Sequence, residues 1–319
     1  MNPKTKQLLI NLARIVVSAG LLALVLSQAN LGRLVETVRA ADLRRYALAL
    51  ALGLIGIVIR AYRWKVLLDA VSARVSLGRA VYLYFVGAFF NTFLPTGFGG
   101  DVVRALEAGP GTQSTQAAGT IVVDRLTGFI MLFGLALVTM PVAGGALPTV
   151  IVAPITLLAL AVLIGSALLF EGRLLRAITE KLPLPRALSL AGEGWLARTY
   201  GVITACGRSA LLRALGASLV FNIIQTLGGM FIAQALGLNV SIWALFVFIP
   251  IATVALLLPI TVGGIGFREG LFVLLFAQIG IDREPATAFS LGVYSVDVFT
   301  GLVGGVIYML SGLLGLRRS

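Results

Sequence analysis

The sequence predicts an all-α polytopic membrane protein, with about six full transmembrane helices plus two re-entrant broken-helix hairpins in an inverted internal repeat. Three observations lead there. Mean hydropathy is +1.01, with 59% hydrophobic and only 12% charged residues among 319, far outside soluble composition. Most of the chain falls into apolar runs of about 20 residues, the length that crosses a bilayer. An apolar segment broken by proline and glycine also occurs twice, from Phe93 to Arg104 and from Leu257 to Arg268. The two copies share Leu94/Leu258, Pro95/Pro259, Gly99/Gly263, Gly100/Gly264 and Arg104/Arg268, all at one offset of 164.

Taken in order, Leu8 to Gln28 is the first span, too long for the apolar core of a cleavable signal peptide. Leu31 to Arg45 alternates apolar and basic residues at helical spacing and reads as an interfacial helix. Tyr46 to Arg60 is the second span, closed by an aromatic and cationic belt of Arg60, Tyr62, Arg63, Trp64 and Lys65. Ala80 to Leu94 is short for a crossing and ends at the first break, with tips at Pro95, Gly99 and Gly100. Asp101 to Glu107 leaves that break as a short polar helix. Irregular backbone of this kind is tolerated at membrane depth where it is buried or lines a polar cavity.

Ala117 to Met140 and Pro148 to Phe170 are further spans. Residues 171–213 form a basic loop, and Leu215 to Leu236 is a span with Ser218, Asn222, Gln225 and Gly229 on one face. Trp243 to Leu258 enters the second break, with tips at Pro259, Gly263 and Gly264, and Ile265 to Ile279 leaves it. Ala286 to Leu314 is the last span. The duplication continues beyond the breaks, because Val123 to Gly128 and Val296 to Gly301 share V-D-x-(Leu/Phe)-T-G at an offset of 173. The chain is thus one membrane domain over 1–319. Repeat 1 covers about 46–140, with its hairpin at 80–108, and repeat 2 covers about 215–314, with its hairpin at 243–280.

The formal charge of +12 resides at span ends and in loops. It therefore reads as positive-inside topology and attraction to anionic headgroups, with no nucleic-acid partner expected. Placing the 171–213 loop and Arg317-Arg318 in the cytoplasm puts both termini there. Three crossings then separate the hairpins, so they enter from opposite faces. Arg33, Arg39, Arg44 and Arg45 lie outside in that topology. An external N-terminus with the first hairpin as a full span is the competing arrangement. The chain has no histidine and one cysteine, Cys206, which removes histidine-based catalysis, most zinc or haem sites and any intrachain disulfide. No metal or cofactor is expected.

Asp124 and Asp297 are acids inside apolar runs, where a carboxylate costs about 2.5–3.5 kcal/mol on insertion scales. Each either couples protons or orients a headgroup, or forms a structural ion pair with Arg125, Arg104 or Arg268. Arg104 and Arg268 follow the glycine breaks, where half-helix N–H groups favour an anion, and read as phosphate clamps or as local caps. Asn91, Glu269, Asn222 and Gln225 complete the candidate substrate-binding set. The Ser218/Asn222/Gln225 stripe serves equally as interhelical glue.

Asn91 to Arg104 (N-x-F-L-P-x-x-x-G-G-D-x-x-R), Val123 to Gly128 (V-D-R-L-T-G) and Pro259 to Glu269 (P-x-x-x-G-G-x-G-x-R-E) resemble the lysylphosphatidylglycerol synthase transmembrane-region, or flippase-like, family. The resemblance covers nearly the whole chain. It implies a bacterial inner-membrane protein that handles an anionic phospho-headgroup or polyprenyl-phosphate lipid by alternating access. The alternative is a non-transporting subunit presenting a lipid to a partner glycosyltransferase or lipid synthase. No counterpart of the soluble aminoacyl-transferring domain of bifunctional members follows Ser319, so aminoacyl transfer is not expected, and the chain is not expected to be an enzyme.

Overall fold

The computed structural model describes residues 16–94, 99–108, 112–143, 149–171, 195–256, 261 and 263–313. Pro95 and Pro259, most of the 171–213 stretch, Arg317 and Arg318 lie outside the described residues. Among the described residues eleven helices run in order: α1 (Val16–Ser27), α2 (Leu31–Arg39), α3 (Leu43–Ala70), α4 (Leu77–Phe93), α5 (Gly99–Glu107), α6 (Thr112–Ala143), α7 (Thr149–Glu171), α8 (Trp195–Ala235), α9 (Ile242–Ala255), α10 (Phe267–Ala277) and α11 (Arg283–Leu313). No strand occurs among the described residues.

Four helices are long and apolar enough to cross a membrane: Leu43–Ala70, Ala117–Val142, Tyr200–Ala235 and Arg283–Leu313. A fifth is counted only if α1 and α2 form one span, and they bend by 89° at Asn30. The other two expected spans are the first, described only from Val16, and α7, whose apolar stretch Val152–Leu168 is shorter. The bend has a local cause. Asn30 caps α2 by accepting from the Arg33 N–H, and its own N–H donates to Glu284 at 2.9 Å, so chain direction changes where side chains satisfy the freed backbone.

Two expected boundaries move. The interfacial helix does not continue to Arg45, because Asp42 accepts from the Arg44 and Arg45 N–H groups and starts α3. The second span does not close at Arg60. α3 continues to Ala70, and Arg63 and Trp64 on its second half are buried. The stretch read as a terminal belt is therefore part of the molecular interior, because neighbouring helices supply Asp124, Ser218 and Thr120 as partners for its polar groups. Likewise α8 begins at Trp195, inside the stretch read as loop, and carries a non-helical Gly207 (φ 68°, ψ 165°) before its span.

α3 and α8 form the central pair. At one end the Asp42 N–H donates to the Ala235 carbonyl at 2.8 Å, and Arg45 Nη1 donates to the Gln234 carbonyl at 3.2 Å. Further along, Arg63 Nη1 donates to Ser218 Oγ at 3.0 Å. α4 and α11 pack on one side of this pair, α6 and α9 on the other. Phe248, Phe272, Phe276 and Phe289 join α9, α10 and α11, with ring centroids 4.8–5.9 Å apart.

α5 folds against α4, and a Cβ at Gly100 would strike the Gly87 carbonyl, so only glycine allows this approach. In the second break Gly263, Gly264 and Gly266 hold φ of 60°, 78° and 80°, the left-handed region that suits glycine. Gly100→Ala should cost about 1–3 kcal/mol, the overpacking range. Monodisperse yield and melting temperature in detergent check this, with Gly228→Ala, whose Cβ meets nothing within 4 Å, expected to match the parent.

Candidate functional site

The site is built on the inner faces of α3, α4, α5, α6, α8, α10 and α11. Its first half centres on Asp124 of α6, 1% exposed. Asp124 Oδ1 accepts from Arg63 Nε at 2.6 Å. Its Oδ2 accepts from the Tyr84 hydroxyl at 2.5 Å and from Arg104 Nη2 at 3.3 Å. Arg104 Nη1 also reaches Asp101 at 3.1 Å, and Asp101 accepts from Arg125 Nε at 2.7 Å. The Arg104 guanidinium lies over the rings of Tyr84 (3.7 Å) and Trp64 (4.3 Å). Both carboxylates are shared between arginines, and the Arg104 face is covered by rings.

The second half repeats the pairing on different terms. Arg268 Nη1 meets Asp297 Oδ2 at 3.2 Å, Nη2 donates to the Gly263 carbonyl at 2.9 Å, and Tyr294 stacks on the guanidinium at 4.4 Å. The duplicated Arg–Asp pair is thus made in both copies. However, the Asp297 side chain is 61% exposed, against 2% for Asp124.

Between the halves sits Arg60, one turn before Arg63 on α3. It is half-buried and makes no ion pair or hydrogen bond among the described residues. Its guanidinium rests over Phe221 at 4.9 Å and Tyr84 at 5.8 Å. The Nε atoms of Arg60, Arg104 and Arg268 are all sealed from solvent without an acceptor, a costly state for a donor.

Three cavities of about 180, 230 and 210 Å³ share walls here, and Arg60 lines all three. The first runs between α3 and α8 past Gly53, Gly56, Gly228, Gly229, Ile249 and Phe272, and meets Arg268 and Asp297 at its polar end. The second takes in Arg63, Arg104, Asp101, Asp124 and Arg125, and the third lies between Asn91, Tyr294 and Arg268. The result is a connected cleft, apolar along one arm and arginine-lined along the others.

Of the residues singled out from sequence, Arg104, Asp124, Arg268, Asp297, Asn91, Asn222 and Gln225 all line this cleft. Asn91 is committed at one end, its Oδ1 accepting from the Gly100 N–H at 2.8 Å, so the first half-helix N-terminus already has an acceptor. Asn222 donates to the Ser218 and Gly128 carbonyls, and Gln225 faces the first two cavities. Glu269 is not brought to the cleft. It is 1% exposed and accepts from the Gly266 N–H (2.5 Å) and from Ser290 (3.2 Å), which makes it the cap of α10. Arg60, Arg63 and Tyr84 were missed. The available signal was a pair of arginines three apart on one helical face inside a long apolar segment.

The family described as Lysylphosphatidylglycerol synthase TM region matches residues 11–305. The chain belongs to this family. It is also similar to the UPF0104 membrane protein PH1989 of Pyrococcus horikoshii, 22% identical over 309 residues, covering 87% of this chain and 90% of the relative. No solved structure matches it. With the apolar helices described above, this makes it a multi-pass membrane protein of the lysylphosphatidylglycerol synthase transmembrane family.

Breaking the Asp124 cluster should unfold this family member rather than merely silence it. Arg63→Ala leaves a buried carboxylate short of its nearest cation, a loss of about 3–5 kcal/mol for a broken buried pair. The expected readout is a large fall in melting temperature, partly recovered in the double variant Arg63→Ala/Asp124→Asn.

Proposed function

We propose that this protein translocates a lipid with an anionic phospho-headgroup, of the phospholipid or polyprenyl-phosphate kind, across the membrane it spans. The observation that carries the reading is Arg60, a guanidinium inside a membrane helix that makes no ion pair among the described residues, facing a cleft with one apolar arm. An unpaired cation at such a depth is expensive and marks a binding site. A guanidinium fork suits phosphate oxygens, and the glycine-lined arm beside it suits a hydrocarbon chain.

In this reading Arg60 and Arg268 hold the phosphate, while Asp297 is the exchangeable partner that Arg268 keeps in the empty state. Asn91 and Gln225 orient the headgroup. Arg63, Arg104 and Asp124, with their bonds already made, form the fixed wall. The two hairpins act as an inverted pair in alternating access, supported by the Arg104–Asp124 and Arg268–Asp297 pairs recurring at matched positions. In this reading the protein works as a carrier, in keeping with the guanidinium–carboxylate pairs that line the cleft. A plasma-membrane location with both termini in the cytoplasm completes the proposal.

Reconstitution into vesicles with fluorescent phosphatidylglycerol tests it. Arg60→Ala and Arg268→Ala should each slow translocation at least about tenfold, a loss of roughly 1.4 kcal/mol in the transport barrier. Arg60→Ala should also melt no lower than the parent, because it removes an uncompensated cation and no ion pair. Undiminished transport in both variants would sink the phosphate assignment. Lipid binding without transport by the parent would instead select the subunit that hands a lipid to a glycosyltransferase or synthase.

A further inference from the structure

We infer that the cleft selects a lipid ending in a phosphomonoester dianion over phosphodiester lipids. This rests on the translocase reading above and narrows its substrate. The argument is a charge balance. The cleft is lined by five arginines, Arg60, Arg63, Arg104, Arg125 and Arg268, and three aspartates, Asp101, Asp124 and Asp297. It therefore holds a surplus of two positive charges when empty. Asp101 and Asp124 are shared among three of the arginines, Asp297 serves Arg268, and nothing serves Arg60. Glu269 does not alter the balance at the walls, because its carboxylate is turned to the N-terminus of α10 and to Ser290.

Buried charge is tolerated where it is compensated, so the headgroup that neutralises this cleft carries two negative charges. A phosphodiester brings one and leaves one cation unmatched. A choline or lysyl headgroup adds ammonium charge and worsens the balance. Arg268 reinforces the point, because its Nε is without an acceptor although the residue is only 3% exposed. The Asp297 carboxylate that pairs with it opens into the same cavity and can be exchanged for a phosphate oxygen.

The apolar arm decides between a lipid and free phosphate as the source of that dianion. Gly228 lines the arm, and a Cβ there meets nothing within 4 Å. A side chain at this position therefore starts in open space and extends from a wall of the arm.

The experiment is equilibrium binding to the purified full-length protein at pH 8. The probes are dihexanoyl phosphatidic acid and farnesyl phosphate as phosphomonoesters, dihexanoyl phosphatidylglycerol as diester, dihexanoyl phosphatidylcholine as zwitterion, farnesol and inorganic phosphate. Both phosphomonoesters should bind at least about tenfold more tightly than the diester, a margin of roughly 1.4 kcal/mol. Arg60→Gln should bring that ratio close to one, and Gly228→Leu should weaken both lipid phosphates. Diester binding equal to phosphomonoester binding in the parent protein overturns the dianion inference and leaves the translocase reading standing. Failure of every anionic lipid to bind overturns the translocase reading itself. Inorganic phosphate binding as tightly as the lipids, unaffected by Gly228→Leu, overturns the lipid as its source.

Discussion

A carboxylate inside a membrane bundle must be neutralised by partners held in place, and in this protein Asp124 is where that requirement is met. Arg63 comes from α3, Arg104 from α5 and Tyr84 from α4, so one side chain of α6 fastens four helices at once. The rest of the first half follows from it. Trp64 and Tyr84 cover the Arg104 cation, Asp101 takes its remaining η-nitrogen, and the hairpin of α4 and α5 is pinned against the bundle. Hydrophobic packing alone gives helices little preference for one another when lipid is the competing neighbour. Polar clusters of this kind give the bundle its registry.

The second half uses the same two residue types and reaches a different state. Arg268 and Asp297 pair as Arg104 and Asp124 do, but the carboxylate is open to the cleft and has one arginine instead of two. The two copies of the pair thus differ in burial and in the number of arginines that serve the carboxylate. Arg60 stands at the boundary with its rings, Phe221 and Tyr84, and belongs to neither pair.

Much of this was legible beforehand, and the failures have physical causes. The interruptions of helix beside Gly100 and Gly264 were readable because proline and glycine break an apolar run, an effect local to the chain. The pairing of duplicated arginines with duplicated aspartates was readable as one of two alternatives, since a charge in an apolar run requires a partner. The identity of Arg60 was not. Its position in sequence, beside Tyr62, Trp64 and Lys65, has the composition of a membrane-interface belt. Only the helices packed around it show that Arg63 and Trp64 are interior. Glu269 failed in the opposite direction, because three residues after Gly266 it is placed to cap its own helix, and a local bond took precedence over the cleft. The duplicated offset of 164 was visible without any structure, whereas the difference in exposure between Asp124 and Asp297 depends on neighbours that no offset reveals.

The fastening of α3 to α8 has a mechanical consequence. The Asp42–Ala235 and Arg45–Gln234 bonds lie at one end of the pair, and Arg63–Ser218 lies some 20 residues further on, about 30 Å along a helix. Two helices tied at points that far apart cannot rock or slide against each other without breaking the exposed bonds at one end or the buried Arg63–Ser218 bond at the other. They form the stator of the molecule. Any stroke that opens the cleft to a new side has to be taken up by the elements around that pair. Under the translocation proposed above, the wall carrying Arg60 and Gly228 is the fixed one, and the elements bearing Asp297 and Arg268 are those free to move.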